Sequence, residues 1–379
     1  MMFSITPEQK ACQDKADCFS KRWVMPFAEA NDKTETLDPC VKRSLAEEGY
    51  LGAAITKEYG GLAYDNIMLG LLNEAVGKAC ASTRSLLTVH GMVSKAVEKW
   101  GNENQKKKYL PKMASGSIIG AFGASEANAG SDISGMEATA VKSGRKYTLN
   151  GEKTWTTMGQ IAGLFLIFAK VEGLVSAFLV EKGLPGFEIE PVNGLLGSRA
   201  SMLARLKFTN CEISEENLLG NTGAGLSHIA QTALDYGRYS IAWGCVGIAR
   251  ACLEHSSKYV KTRKQFKSFL FKHQLIQKLL TEMAVSLEAS RLLCLKAGWL
   301  KDSGGYESVG YTLMAKYHAA NMVNQVSKQA VQIHGARGLH DSYPIERLFR
   351  DAHINEIVEG TAQINEILIS SNTIRRYGL

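Results

Sequence analysis

Between Thr6 and about Gly116, apolar residues return every three to four positions, in Val41-Ser44-Leu45, in Ile67-Leu69-Leu71-Leu72-Ala75-Val76 and in Met92-Ala96-Val97-Trp100. That period predicts amphipathic helices. Thr6-Pro7-Glu8-Gln9 reads as a helix start, with an N-cap, a first-turn proline and an early acid, and Gly60-Gly61 punctuates the segment. From Ser117 the rhythm shortens to runs rich in β-branched and aromatic residues: Ser117 to Ala124, Tyr147 to Leu149, Leu164 to Val171, Ser176 to Val180, Phe187 to Val192 and Leu206 to Ile213. Turn signals separate them, among them Leu149-Asn150-Gly151 and Gly183-Leu184-Pro185-Gly186, so antiparallel strands in a small barrel or sandwich are expected. After Gly223-Ala224-Gly225 the helical period resumes and holds to the end. Ile276, Leu279, Leu280, Met283, Leu287, Leu292 and Leu295 share roughly one face, and Tyr306 to Val331 repeats the pattern, as in an antiparallel bundle. The fold class is therefore mainly α with a central β domain, divided at 1–116, 117–222 and 223–379.

A chain of 379 residues, 45% hydrophobic, has material for two or three domains and several cores. Its net charge of +7 comes from 44 basic and 37 acidic side chains spread along the chain, with Lys106-Lys107-Lys108 the only tight run, so nucleic acid is not an expected partner. Eight cysteines lie scattered without a Cys-x-x-Cys pair and read as reduced core residues, not as a disulfide or zinc framework. The histidines show no metal-ligand spacing, and no metal is expected. Neither a signal-peptide core near Met1 nor an apolar run of ~18 residues is present, which places the chain in the cytoplasm and off the membrane.

Candidate chemistry is concentrated in four stretches. Gly123 to Asp132 follows the first strand and is rich in small and hydroxyl residues; it can let a flat ligand approach the backbone or be an ordinary capped loop. Asn150 to Thr157 opens with a hairpin signal and sets Trp155 and Thr157 two residues apart, on one strand face, where an indole can wall an aromatic cofactor or fill a core. Arg263 and Phe266 close a helix, suited to phosphate and ring contacts or, for Arg263, to a helix dipole. Near the C-terminus, Ile354, Ile357 and Val358 keep helical spacing, so Glu359 should lie at a helix end, with Gly360 breaking the helix and Thr361 capping the next. A carboxylate held against apolar neighbours has a raised pKa and can act as a base on a weakly acidic carbon; Glu-Gly-Thr is equally a common capped turn. No dinucleotide glycine motif, Walker loop, His-Glu-x-x-His or Gly-x-Ser-x-Gly elbow accompanies these stretches.

Taken in order, these stretches closely resemble the acyl-CoA dehydrogenase family of flavoproteins over essentially the whole chain. The family pattern Thr-Glu-Pro-x-x-Gly-Ser-Asp has its counterpart in Ser125 to Asp132, Lys-x-Trp-x-Thr in Lys153 to Thr157, and Arg-x-x-Phe-Gly in Arg263 to Lys267. Gln-x-x-Gly-Gly matches Gln332 to Ala336, and Arg-Asp followed by Glu-Gly-Thr-x-Gln matches Arg350-Asp351 and Glu359 to Gln363. The resemblance implies a helical N-terminal domain, a β-barrel middle and a C-terminal four-helix bundle. It implies an FAD whose ring rests against Phe122, Ala124, Ser125, Trp155 and Thr157, with Ser131, Thr361 and Gln363 also at the cofactor. Arg263, Phe266 and Gln274, with Gln332, Gly335 and Ala336, would come from a neighbouring subunit in a homodimer or homotetramer. Ser131, Arg238 and Gly360 are candidate substrate contacts. Glu359 matches the base that removes a thioester α-proton while flavin N5 takes a hydride from the β-carbon, and Gly237 leaves the alternative base position empty.

Three departures stand out: Lys267 and Ala336 replace glycines, and Ala127 replaces a proline. Gly237 to Cys252 and Cys80 to Ser85 are similar to dehydrogenases of glyceryl or seryl groups tethered to an acyl carrier protein in polyketide and nonribosomal peptide pathways. The expected activity is thus carrier-tethered acyl oxidation in extender-unit biosynthesis. The alternatives are a short-chain acyl-CoA dehydrogenase forming a 2-enoyl-CoA and a non-catalytic assembly partner. Electrons would leave to an electron-transfer flavoprotein or to oxygen.

Overall fold

The computed structural model describes residues 5–378. Six helices open the chain: α1 (Pro7–Trp23), α2 (Ala28–Thr34), α3 (Pro39–Glu47), α4 (Asn66–Ala79), α5 (Ala81–Trp100) and α6 (Glu103–Ala114). Their starts are capped as the side chains dictate. Thr6 and Gln9 exchange a capping box at α1, Asp65 accepts from the Met68 N–H at α4, and Asn102 and Gln105 repeat the box at α6. A single extended residue, Cys80, separates α4 from α5. Both helices are buried on most of their faces, so they form the interior of the helical part rather than its shell.

One eight-stranded sheet follows: β1 (Gly120–Gly123), β2 (Thr139–Ser143), β3 (Lys146–Thr156), β4 (Leu164–Val171), β5 (Leu174–Glu181), β6 (Phe187–Pro191), β7 (Ala204–Ser214) and β8 (Leu218–Leu219). The path β6-β7-β3-β2-β4-β5-β8 is antiparallel except at β2–β4, and β1 pairs parallel with β4 beside that path. β1 and β2 thus share one edge of β4, at Leu164–Ile167 and Lys170. β4 is apolar on both sides because both are covered: Phe165 and Ile167 join Phe178, Phe187 and Phe208, while Leu164, Leu166 and Phe168 meet Val93, Val97 and Leu110 of α5 and α6. The hairpin expected at Asn150-Gly151 is not formed. β3 runs straight through, with a register shift against β7 there, and Asn150 Oδ1 accepts from the Asn210 N–H. The turn lies at Gly144-Arg145 instead, between paired Ser143 and Lys146.

The remainder is helical again: α7 (Gln231–Thr262), α8 (Gln274–Asp302), α9 (Ser308–His334), α10 (Ile345–Ile354) and α11 (Ala362–Tyr377), with a small hairpin of β9 (Lys264–Gln265) and β10 (Ser268–Phe269) between α7 and α8. α7 is the axis of the molecule. Its middle, Trp243 to Ala249, is buried all round, against α4 and α5 on one side and α8 and α9 on the other. Glycine permits the closest approach: a Cβ on Gly247 would lie 2.2 Å from the Glu74 carbonyl oxygen of α4.

Candidate active site

Helix α10 stops at Ile354, short of the end expected at Glu359, and Asn355 to Val358 continue as tight turns onto the Ala352, His353 and Ile354 carbonyls. Glu359 then takes a left-handed backbone, φ +57°, followed by Gly360 at +94°. For a residue with a side chain that conformation costs roughly 1–2 kcal/mol and needs support from outside the turn. Thr361 caps α11, its hydroxyl accepting from the Ile364 N–H at 3.3 Å. Arg238 Nε of α7 donates to the Glu359 carbonyl at 3.1 Å. Lys316 Nζ of α9 and Asn365 Nδ2 of α11 both donate to the Gly360 carbonyl, at 2.7 and 2.8 Å.

The turn delivers the Glu359 carboxylate to the face of α7. A Cβ on Gly237 would stand 2.7 Å from Glu359 Oε2 and 2.9 Å from Met92 Sδ of α5, so the carboxylate occupies the room that glycine leaves. It is half-buried there, and desolvation pushes its pKa up to about 7 against the pull of Arg238, Lys316 and Arg84. Arg84 lies two helical turns away along α7, about 10 Å by the helix rise, filling the space over Gly244. The residue is 3% exposed; Nη1 donates to Thr88 Oγ1 at 2.9 Å, Nη2 to Asn355 Oδ1 at 3.5 Å, and Nε has no partner among the described residues. Thr88 meets Ser240 at 2.6 Å, and Ser240 donates to Asn73, which gives a polar seam between α5, α7 and α4.

A second group gathers where β1 and β3 end side by side. The Thr154 N–H donates to the Ser125 carbonyl at 2.9 Å, which brings Phe122, Ala124 and Ser125 beside Trp155 and Thr157. The loop is braced from below by the buried Lys153 ammonium, 2.6 Å from Glu126 and 3.4 Å from the Ala124 carbonyl. Trp155 and Thr157 do not share a strand face as expected. Trp155 has φ +56°, which throws its indole outward to 62% exposure while Lys153 and Thr156 stay inside, and Thr157 lies just past the strand. Ser131 is exposed on the same loop.

The third group sits at the far ends of α7 and α9. Tyr259 stacks on His334 at 4.3 Å, so Arg263, Phe266 and Gln274 share an end of the bundle with Gln332, Gly335 and Ala336. Phe266 is 95% exposed in a left-handed turn with Lys267, whose φ of +63° is one that glycine takes freely. Gln363 is exposed at the start of α11. Lys316 and Asn365 were not foreseen from the sequence, and Arg84 figured only within the stretch Cys80 to Ser85, with no role of its own. Lys316 had a signal, a lone lysine on the apolar face of α9 among Leu313, Ala315, Ala319 and Ala320.

The chain matches three family models in succession: the N-terminal domain of acyl-CoA dehydrogenase over residues 6–117, the middle domain over 121–211 and the C-terminal domain over 223–374. It belongs to the acyl-CoA dehydrogenase family. A short-chain specific acyl-CoA dehydrogenase of Clostridium acetobutylicum is 36% identical over 99% of this chain and all of its own. Among solved structures, butyryl-CoA dehydrogenase from Megasphaera elsdenii superposes with a TM-score of 0.95 at 32% identity, covering 99% of this chain and 100% of that one. The prolyl acyl carrier protein oxidase AnaB reaches 0.93 at 30% identity, over 98% and 100%. This acyl-CoA dehydrogenase family member is an FAD flavoprotein oxidoreductase acting on acyl thioesters. The residues present suit such a cofactor: an outward indole and half-buried Phe122 and Thr157 form an open edge, and the exposed Phe266 ring and half-buried Arg263 lie together at a separate surface, the residue types that stacking and a phosphate contact call for.

Proposed function

We propose that this enzyme oxidises a short acyl thioester with Glu359 as the base. The observation that carries the reading is the Glu359 carboxylate seated over Gly237, half-buried, with its pKa lifted to about 7. A base poised there takes a proton from a carbon acid at neutral pH more readily than a solvated carboxylate does. Bound FAD supplies the acceptor for the hydride that leaves the β-carbon. Glu359 receives the α-proton on its carboxylate, and its backbone N–H, which donates to no acceptor among the described residues, is free for the thioester oxygen as charge develops there. Phe122, Ala124, Ser125, Trp155 and Thr157 hold the ring of FAD, with Ser131, Thr361 and Gln363 nearby. Arg263, Phe266, Gln274, Gln332, Gly335 and Ala336 reach the diphosphate arm of a neighbouring copy in a dimer or tetramer. An electron-transfer flavoprotein or oxygen takes the electrons onward.

The likeness to short-chain and butyryl-CoA dehydrogenases supports a CoA thioester of a short acyl group as substrate, ahead of the carrier-tethered glyceryl or seryl thioester that the sequence suggested. One observation favours that second reading. The buried Arg84 guanidinium, with Nε unpartnered, suits an acyl group that brings a hydrogen-bond acceptor, which butyryl does not. The test is anaerobic addition of butyryl-CoA, or of glyceryl- and seryl-carrier protein, to the yellow protein. Bleaching by butyryl-CoA supports the first reading, bleaching by a carrier thioester alone supports the second, and a colourless protein that takes up no FAD overturns both.

A further inference from the structure

Lys316 is fully buried, and the one hydrogen bond of its ammonium among the described residues goes to the Gly360 carbonyl at 2.7 Å. It lies on the inner face of α9 among Leu313, Ala315, Ala319 and Ala320, where an apolar side chain would pack without the cost of burying an ammonium. Asn365 is likewise fully buried at the start of α11 and donates to the Gly360 and Thr361 carbonyls, each at 2.8 Å. Two elements distant in sequence therefore spend buried polar groups on one peptide carbonyl, next to the left-handed Glu359. Resting on Glu359 as the base, we propose that Lys316 and Asn365 are positioning residues which clamp the Glu359-Gly360 turn and aim the Glu359 carboxylate over Gly237.

The two halves of the clamp differ in charge. The groups facing Glu359 are Arg238 from α7, Lys316 from α9 and Arg84 from α5; those facing Lys316 are Cys245, Arg238, Glu356 and Glu359. Lys316, held down to about 8 by burial, still carries a proton at neutral pH and favours the ionised Glu359. Asn365 holds the same carbonyl without a charge. Losing either loosens the turn, but only the loss of Lys316 also raises the pH at which the base ionises.

The experiment follows flavin bleaching by butyryl-CoA, or by whichever thioester bleaches the wild type, in anaerobic stopped flow from pH 6 to 9. It compares wild-type holoenzyme with Lys316→Met, Asn365→Leu and Glu359→Gln. Lys316→Met should reduce the rate at pH 7 by ~10-fold or more and move the midpoint of the pH profile up by about one unit. Asn365→Leu should slow reduction by a similar factor with the midpoint unmoved. A wild-type rate and midpoint in Lys316→Met overturn the proposal. If Lys316→Met does not keep its flavin, Asn365→Leu decides: slowed reduction with an unmoved midpoint supports the clamp, and a wild-type rate overturns it. Loss of flavin from both, while Glu359→Gln keeps it, also overturns the proposal, since the pair would then hold the fold and not the base. Glu359→Gln reduced at the wild-type rate breaks the reading of the base itself.

Discussion

Two lysines of this enzyme are completely buried, and they are buried on different terms. Lys153, in the sheet, meets the Glu126 carboxylate at 2.6 Å, and Glu126 in turn accepts from the Ala138 N–H at 3.1 Å. Burial lowers the ammonium's pKa, while the Glu137 N–H and then the Lys153 ammonium hold the Glu126 carboxyl below its ordinary range against its own desolvation, so charge is matched by charge. Lys316, in the helical part, is hydrogen-bonded among the described residues only to a peptide carbonyl, and burial brings its pKa down to about 8. The first arrangement braces the loop from Ala124 to Asp132. The second sets an ammonium with no carboxylate hydrogen-bonded to it near Glu359, the proposed base, where its charge favours the ionised carboxylate. A buried ammonium hydrogen-bonded to a carboxylate reads as a structural pair; one hydrogen-bonded to a peptide carbonyl near a carboxylate with a displaced pKa is the arrangement on which the role proposed for Lys316 rests.

The comparison breaks first at Glu359. Glu359→Gln should keep the flavin colour and lose ~10³-fold or more in the rate of anaerobic bleaching, the scale of a lost general base. Lys153→Met should cost about 3 kcal/mol in urea unfolding, because it takes the counter-charge from the largely covered Glu126 carboxylate, and adding Glu126→Gln should recover much of that. Lys316→Met, by contrast, breaks no hydrogen-bonded ion pair and leaves Glu359 faced by Arg238 and Arg84, so its unfolding free energy should stay within about 1 kcal/mol of wild type. If Lys153→Met proves as mild as that, the sheet lysine is not the structural one. Gly237→Ala places a methyl 2.7 Å from Glu359 Oε2, and a displaced carboxylate should slow reduction by ~10²-fold while the melting temperature holds. The smallest effect is in pH. With the Glu359 pKa raised to about 7 and the ionised form required, the reduction rate should rise with pH through about 7, falling up to tenfold per unit below it. A flat profile from pH 6 to 8 would remove Glu359 from the proton transfer.

Much of this was legible along the chain. Periodicity distinguished helices from strands because a 3.6-residue face and a two-residue face bury different positions, and Leu164 to Val171 was found residue for residue. Thr139 to Ser143 was missed, since only Ala140 of that strand is buried and it offers no apolar alternation. Asn150-Gly151 misled because its turn chemistry serves a bulge opposite Asn210, a partner sixty residues away in sequence. Of the eight cysteines, Cys18 and Cys40 are exposed, not core, because their helices turn those positions outward.

The sequence by itself determined the family, the order of helical, sheet and helical regions, the cofactor class and the identity of the candidate base, because each depends on residue type and spacing along one segment. Only the tertiary structure decided how that base is held. The left-handed Glu359, the space over Gly237, the guanidinium of Arg84 and the clamp of Lys316 and Asn365 come from α5, α7, α9 and α11 meeting at one point. Desolvation and coulombic pull depend on distance in space, and no local pattern records which distant side chains will meet.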